Sequence, residues 1–505
     1  MPVQSQQAQR RATRATRCML ALAALLPALA AVAQTQQNPP PAPAPAPRPQ
    51  AAPANPAQAH PPLNPVAAAA AAAAQRRAAL AAAAAAGNNR NAAQPAGSTR
   101  NAAQPAGSTR NTAGNLHVAS LDNARANANL VQSRTFVGNP GPPGSKETRT
   151  ASGNIVRTAA DGSVIDVRNP RNGMTIHHGL DGSRRILVEQ PDHSRIFATT
   201  RGLPYVQHPF VFRGRVLNHR TYQVGGKLVH VFYRPYNFGA TALDVYAPTR
   251  YYQPQFYQQA SSPFQAPMRF NWPYANNATP WYGYYKGYFT PDTSYTTPTA
   301  WLADFVLGAS LAMAYATAKP TAPAPAAGAG PAVTPEVKQM VAEEVGRQVK
   351  EESVEAQQSA ANRDPPPGAG GVVQELGDGQ THVFVVAADL DLVDPAGRRC
   401  MISEGDVVQV VSAPRADTST AGAVVLASKG GEECERAAQV QIAVADLQEM
   451  QNHMRETIDL GMASTDAGKK AATATPAFAA AAPPPDPNTA HEIEQQQQLA
   501  AAADS

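Results

Sequence analysis

Cysteine is nearly absent, with three in 505 residues, which excludes a disulfide-dense scaffold and a thiolate metal knot. Aromatic residues make up 6% of the chain and charged residues 16%. Long stretches therefore cannot bury enough apolar surface to offset the entropy of ordering them. The common chemical signatures are missing as well. There is no G-x-S-x-G elbow, no G-x-x-x-x-G-K-[ST] phosphate loop, no H-E-x-x-H and no C-x-x-C, so the strongest sequence arguments for an enzyme fall away. What is plentiful is alanine, with 47 prolines and 35 glycines. The net charge of +5 is too mild to imply nucleic acid. It is also uneven, basic from Arg134 to Arg250 and acidic over Glu336–Ser505.

The N-terminus carries an export signal. Arg10, Arg11, Arg14 and Arg17 precede the apolar run Met19–Val32, and Ala31-Val32-Ala33 places small residues before Gln34. This is the grammar of a secretory signal peptide over residues 1–33, cleaved after Ala33, and it predicts a periplasmic or secreted protein. Cys18 precedes the apolar run, so it is not placed as a lipid-bearing cysteine. Cys400 and Cys434 are left as an even pair in an oxidising space, and a disulfide is the expectation.

Residues 34–130 read as a disordered Pro/Ala-rich linker, in which NAAQPAGSTR occurs at 91–100 and again at 101–110. Residues 131–250 read as an antiparallel β domain. Turn pairs at Asp161-Gly162, Asn172-Gly173, Asp181-Gly182 and Asp192-His193 punctuate runs rich in Val, Ile and Thr, the pattern of a hairpin meander. Further strands are predicted at Tyr205–Phe212, Arg215–Val224 and Lys227–Tyr233. The turn spacing resembles the hairpin rows of bacterial tyrosine-aspartate repeat proteins, which implies a β-hairpin array.

Residues 251–318 hold an aromatic-rich segment and one apolar helix, Trp301–Thr317, too short for a membrane span and expected to dock on the sheet. A linker over 319–333 precedes an amphipathic connector helix at 334–361, opened by Thr334 and Pro335. Its stripe of Val337, Met340, Val341, Val345 and Val349 offers a surface for dimerisation through 335–350. After a linker at 362–371, residues 372–463 read as a disulfide-closed, barrel-like β domain with a C-terminal helix. Its strands are expected at His382–Val386, Val407–Ser412, Ala423–Ser428 and Gln439–Val444. The helix is expected to be capped by Asp446 with Glu449, ended by Gly461, and buried through Leu447, Met450, Met454 and Ile458. The run ISEGDVVQVV resembles small Src-homology-type barrels, which implies a compact β module. Residues 464–505 are expected as a disordered tail. The chain is thus mainly β with extensive disorder: an antiparallel meander, short helices and a small C-terminal barrel.

Two constellations carry possible chemistry. A turn at Arg213-Gly214 places His208 opposite His219, and a turn at Gly225-Gly226 makes His230 its diagonal neighbour. Cross-strand and diagonal spacings of ~5 and ~7–8 Å suit three imidazoles around one zinc or copper ion. His177-His178 is a poorer pair, since adjacent strand residues point to opposite faces. The second constellation is aromatic. Trp272, Trp281, Tyr282, Tyr284 and Tyr285 could stack on sugar rings, with Arg213, Arg215 and Arg220 supplying charge for an anionic envelope polymer. The pattern resembles exported bacterial proteins of unknown function, which implies neither an activity nor a cofactor. The expectation is a non-enzymatic envelope binding or scaffolding protein that contacts an anionic envelope polymer or an envelope protein partner, with no catalytic residue assigned. The alternatives are a metal-dependent periplasmic hydrolase on the three histidines, and a nucleic-acid-binding protein, against which export and modest charge both argue.

Overall fold

A computed structural model describes residues 142–504, apart from 225–226, 240, 270–279, 319–331, 362, 367, 395, 415–418, 431–432 and 466–474. The signal segment, the ten-residue duplication and Trp272 lie outside the described residues. The chain is mainly β. Ten strands form one sheet whose spatial order is the chain order: β1 (Lys146–Arg149), β2 (Ile155–Thr158), β3 (Val164–Asn169), β4 (Met174–His178), β5 (Arg184–Glu189), β6 (Arg195–Thr199), β7 (Tyr205–Phe212), β8 (Arg215–Val224), β9 (Lys227–Phe238) and β10 (Thr241–Ala247). Every neighbouring pair is antiparallel, as the regular turn spacing predicts.

The turns follow one local rule. In Asp161-Gly-Ser163, Asp181-Gly-Ser183 and Asp192-His-Ser194, the serine amide donates to the aspartate Oδ1 at 2.8–3.0 Å. The middle residue is left-handed, including His193 at φ 69°, a conformation that an Asx turn makes accessible. Gly173 has the tightest need for its missing side chain. Its φ is +68°, and a Cβ there would lie 2.5 Å from the Glu189 carbonyl oxygen.

Strand alternation separates two faces. Val167, Ile176 and Ile186, then Val188, Ile196 and Val206, follow one another as cross-strand pairs on one face. Asp166, His177, Gln207 and Arg220 are buried on the other. Four helices follow: α1 (Pro254–Ala260), α2 (Pro280–Tyr285), α3 (Pro298–Ala318) and α4 (Pro335–Ala360). The short strands β11 (Met268–Arg269) and β12 (Ser294–Tyr295) pair between them. Thr334 caps α4 as predicted, its side chain accepting from the Val337 amide. Then come α5 (Val372–Glu375), β13 (His382–Val385), β14 (Leu390–Val393), β15 (Arg399–Ile402), β16 (Val407–Val410), β17 (Thr420–Ala427) and β18 (Gln439–Ala443). These form a β13-β16-β17-β18 sheet and a β14-β15 hairpin. Cys400 and Cys434 form a disulfide with an S–S distance of 2.08 Å. The strand β18 runs straight into α6 (Val444–Ser464), and α7 (Ala477–Ala481) and α8 (Thr489–Asp504) complete the chain.

Several expectations are corrected here. The apolar helix α3 packs on α4 and α6 rather than on the meander. It is long and apolar enough to cross a membrane, yet most of it is buried within the chain. The connector reading of α4 gives way to a core helix. Val337, Val341, Val345 and Val349 join one hydrophobic cluster that also holds Leu243, Trp281, Phe384 and Met454. The stripe that suggested a dimer surface is therefore covered by the chain itself. Around 362–371, read as a linker, two buried cations hold the backbone: Arg234 donates to Ala369 O at 2.8 Å and Arg455 to Gly370 O at 3.1 Å. The helix α6 starts at Val444 without a side-chain cap and continues to Ser464, past Gly461. Because β18 leads into it directly, Ala443 takes the cap position, and Glu449 is left to pair with Arg220 instead. Its stripe of Leu447, Met450, Met454 and Ile458 is buried as expected. Finally, the described part of the tail is helical and packed. Ile493 and Ala500 of α8 join the cluster of Ile176, Ile186 and Val206, and Phe478 of α7 packs edge-on against Phe232.

Candidate functional site

The turn between β7 and β8 fixes the histidine row. Arg213 (φ 50°) and Gly214 (φ 75°) are both left-handed, which matches the twist of a two-residue hairpin. The resulting register puts His208 opposite His219 and His219 opposite Phe232, as the spacing predicts. Ring centroids are 5.7 Å apart for His208–His219 and 6.3 Å for His219–His230. His230 also lies against Phe232, with centroids 4.9 Å apart.

The tail changes the composition of this site. The ligating atoms of His208, Asp486 and Glu492 all lie within 4.8 Å of one another. Among the described residues, the three imidazoles do not form such a convergent group. His208 Nε2 is 3.1 Å from Asp486 Oδ2. Asp486 is held by a local turn. Its Oδ1 accepts from the Asn488 amide at 2.8 Å, and its carbonyl accepts from Thr489 Oγ1 at 2.7 Å, where α8 begins. Glu492 follows in the first turn of that helix. Burial, then the neighbouring His208 and His230, push His219 down to about 4. It is therefore neutral at physiological pH, the form that ligates metals. Burial, reinforced by the charge of Asp486, raises the Glu492 carboxyl above its ordinary value.

Sequence reasoning missed Asp486 and Glu492, because α8 hides its packing face. The residues that dock it are Ile493 and Ala500, set among glutamines and alanines that give no clear apolar stripe. The only local signal is Asp486 within a proline run, three residues before Thr489.

The aromatic candidates are elsewhere. Trp281, Tyr282 and Tyr285 are buried in the helical core, and Tyr284 packs on Tyr315 with centroids 5.6 Å apart. Arg220 is buried too. It lies over Tyr233 and Tyr205, 4.1 and 4.5 Å from their ring centres, and pairs with Glu449 at 2.7 Å and Asp244 at 3.4 Å. Arg213 and Arg215 are exposed at the hairpin end, where Arg215 donates to Pro365 O at 2.9 Å. Among the described residues, the grouped rings Trp281, Tyr282 and Tyr285 are thus buried, Arg213 and Arg215 are exposed, and Arg220 stacks on other rings.

Two further polar clusters went unnoticed in the sequence. Glu344, Glu375 and His382 are buried and cross-link α4, α5 and β13. Arg347 donates to Glu344 at 2.6 Å, Gln348 donates to Glu344 at 3.0 Å and also to Glu375, and His382 contacts Glu344 at 3.2 Å and Asp378 at 2.9 Å. Protein groups already meet most of these atoms, Glu375 Oε2 being the exception. In the other cluster, Lys429 Nζ lies 2.8 Å from Ser403 Oγ, the outline of a serine–lysine dyad. Lys429 is also 2.5 Å from Asp406 and 3.6 Å from Glu433. Although burial lowers its pKa, these two charges hold the ammonium above the ordinary lysine value. A protonated amine cannot take the serine proton, so the pair is a structural bridge. A small adjoining cleft of about 50 Å³ is lined by Arg201, Tyr285, Asp389 and Glu404 among others. Set beside protein-family models, curated proteins and solved structures, the chain matches none of them.

Proposed function

We propose that this chain is an exported, non-enzymatic cell-envelope protein that binds or scaffolds through the surface of a rigid ordered body. Export is supported by the signal-like N-terminus and by the Cys400–Cys434 disulfide, a bond that persists in oxidising compartments. The observation that carries the binding surface is the placement of cations. By strand alternation, Arg149 at the end of β1, Arg171 in the β3–β4 turn, and Arg213 and Arg215 at the β7–β8 turn stand at one end of the sheet, and all four are exposed. The buried aromatics take no part in this version. Its ligand class is an anionic envelope polymer, contacted by charge at turn ends rather than by ring stacking.

The test is retention of the purified chain on isolated sacculi at physiological salt. Retention is expected for the wild type and should be lost when Arg149, Arg171, Arg213 and Arg215 are all changed to alanine. No retention of the wild type, or equal retention of the quadruple variant, would remove the polymer reading. A metal-dependent hydrolase is a second reading, favoured by the convergence of His208, Asp486 and Glu492. Metal-dependent turnover of ester or phosphoester substrates, abolished in His208→Ala, would move it to first place.

A further inference from the structure

We propose that His208, His219, Asp486 and Glu492 form a binding site for one divalent transition-metal ion of the zinc class, which clamps the C-terminal helix onto the sheet. The strands supply two imidazoles in fixed register, and the tail supplies two carboxylates. The donors therefore come from segments more than two hundred and fifty residues apart in the chain, as the separation of 278 between His208 and Asp486 shows. Such a site cannot exist before the tail has docked, so the ion's binding energy becomes docking energy.

The donor set selects the metal. Two nitrogens and two carboxylate oxygens suit zinc, which takes His and Asp/Glu at ~2.0–2.2 Å in tetrahedral sites. Calcium and magnesium favour oxygen-only shells, and copper(I) favours sulfur. His208 Nε2 and Asp486 Oδ2 are 3.1 Å apart, which suits the ~3.4 Å that two ~2.1 Å bonds span in a tetrahedral site, and Glu492 lies within 4.8 Å of both.

A second, independent observation comes from His219. It is 3% exposed and lies against His208, yet its Nδ1 is buried with no hydrogen-bond partner. A buried nitrogen left in that state is unfavourable, because it has given up its bond to water and gained nothing in return. His219 lies outside the 4.8 Å convergence, so in this proposal its ring turns toward His208 for the ion to become the missing partner. Asp192, whose charge acts on both His208 and Glu492, adds a further negative group to the surroundings.

The experiment uses the full chain, stripped with a chelator and titrated with zinc chloride, then with cobalt chloride as an optical probe. The expected result is one equivalent of bound zinc and cobalt d–d absorption of tetrahedral intensity. Zinc should also slow amide exchange in α8. His208→Ala, and separately Asp486→Asn with Glu492→Gln, should each weaken binding at least ~10-fold, the minimum seen even for groups that only support ligands. The tail double variant changes half-buried side chains outside the main core, so it decides the matter if His208→Ala does not fold. Sub-stoichiometric zinc on the wild type would overturn the proposal. So would unchanged binding in a folded tail variant, which would place any bound ion elsewhere, for instance at Glu344, Glu375 and His382.

Discussion

On one face of the ten-stranded sheet, Val167, Ile176, Ile186 and Val206 meet Ile493 and Ala500 of an alanine- and glutamine-rich helix. On the other, Arg220 reaches Glu449 at 2.7 Å, Tyr246 N donates to Asn452 at 2.9 Å, and His177 lies 2.8 Å from Asp166 and 3.3 Å from Asp391. The difference lies in what each chemistry can specify. Apolar contact is non-directional and tolerates a partner of low complexity. Buried ion pairs and hydrogen bonds fix orientation, and they penalise the loss of either member heavily. The polar face therefore sets how the meander sits on α6, whereas the apolar face only needs to be covered.

The largest effect expected from breaking this contrast is on the polar side. Arg220→Met removes the cation that Asp244 and Glu449 share and should cost about 3–5 kcal/mol, read as a shift in the urea midpoint. A loss below ~1 kcal/mol would show that the face is held by packing instead. Next comes pH. Glu352, buried in the helical layer, is pushed up to about 8 by burial and by the charge of Asp459, while Tyr257 Oη donates to it at 2.8 Å. The folded state thus keeps this proton when the unfolded chain has lost it. Stability from this group is present at acid pH and falls as pH rises from about 4.5 to about 8, by no more than ~1.4 kcal/mol per unit. Glu352→Gln should flatten that part of a stability–pH profile. An unchanged slope would assign the dependence elsewhere.

Gly173→Ala tests the turns that both faces share. Positive φ and the close Glu189 carbonyl should make it cost about 1–3 kcal/mol. The corresponding change at Gly182, also at positive φ but with open space around its Cβ, should cost less. The smallest effect is expected on the apolar side. Ile493→Ala should lower global stability least, because α8 can open without unfolding the sheet, while it raises dye binding to the exposed sheet face and speeds amide exchange in α8. If instead the whole molecule unfolds at once, the tail is an integral part of the core.

The meander was legible because its turns announce themselves. Each Asp-Gly-Ser or Asn-Gly pair carries its own conformational preference, and cross-strand register then follows by counting, down to His208 opposite His219. The helical core was less legible. The helices α3 and α4 were visible, but nothing in their sequences says that they pack on each other rather than on the sheet or a second copy. In α6 the apolar stripe was legible, while Gln448, Gln451, Asn452, Arg455 and Asp459 carry no apolar signal and are all buried. Polar residues are indistinguishable from surface residues until their partners, such as Glu355 for Arg455, are brought in from a distant helix. The tail failed for the opposite reason, since a helix that covers a surface with one isoleucine and small residues looks like no helix at all.

The sheet's neighbour-by-neighbour strand order has a consequence for how the molecule is assembled. Each hairpin can zip onto the last with only a short loop to close, so the meander needs few distant encounters. Its oily side, however, waits for a helix encoded far downstream. During synthesis the array would stand half-clothed until that helix arrives, and any delay there leaves a sticky plane open to other nascent chains.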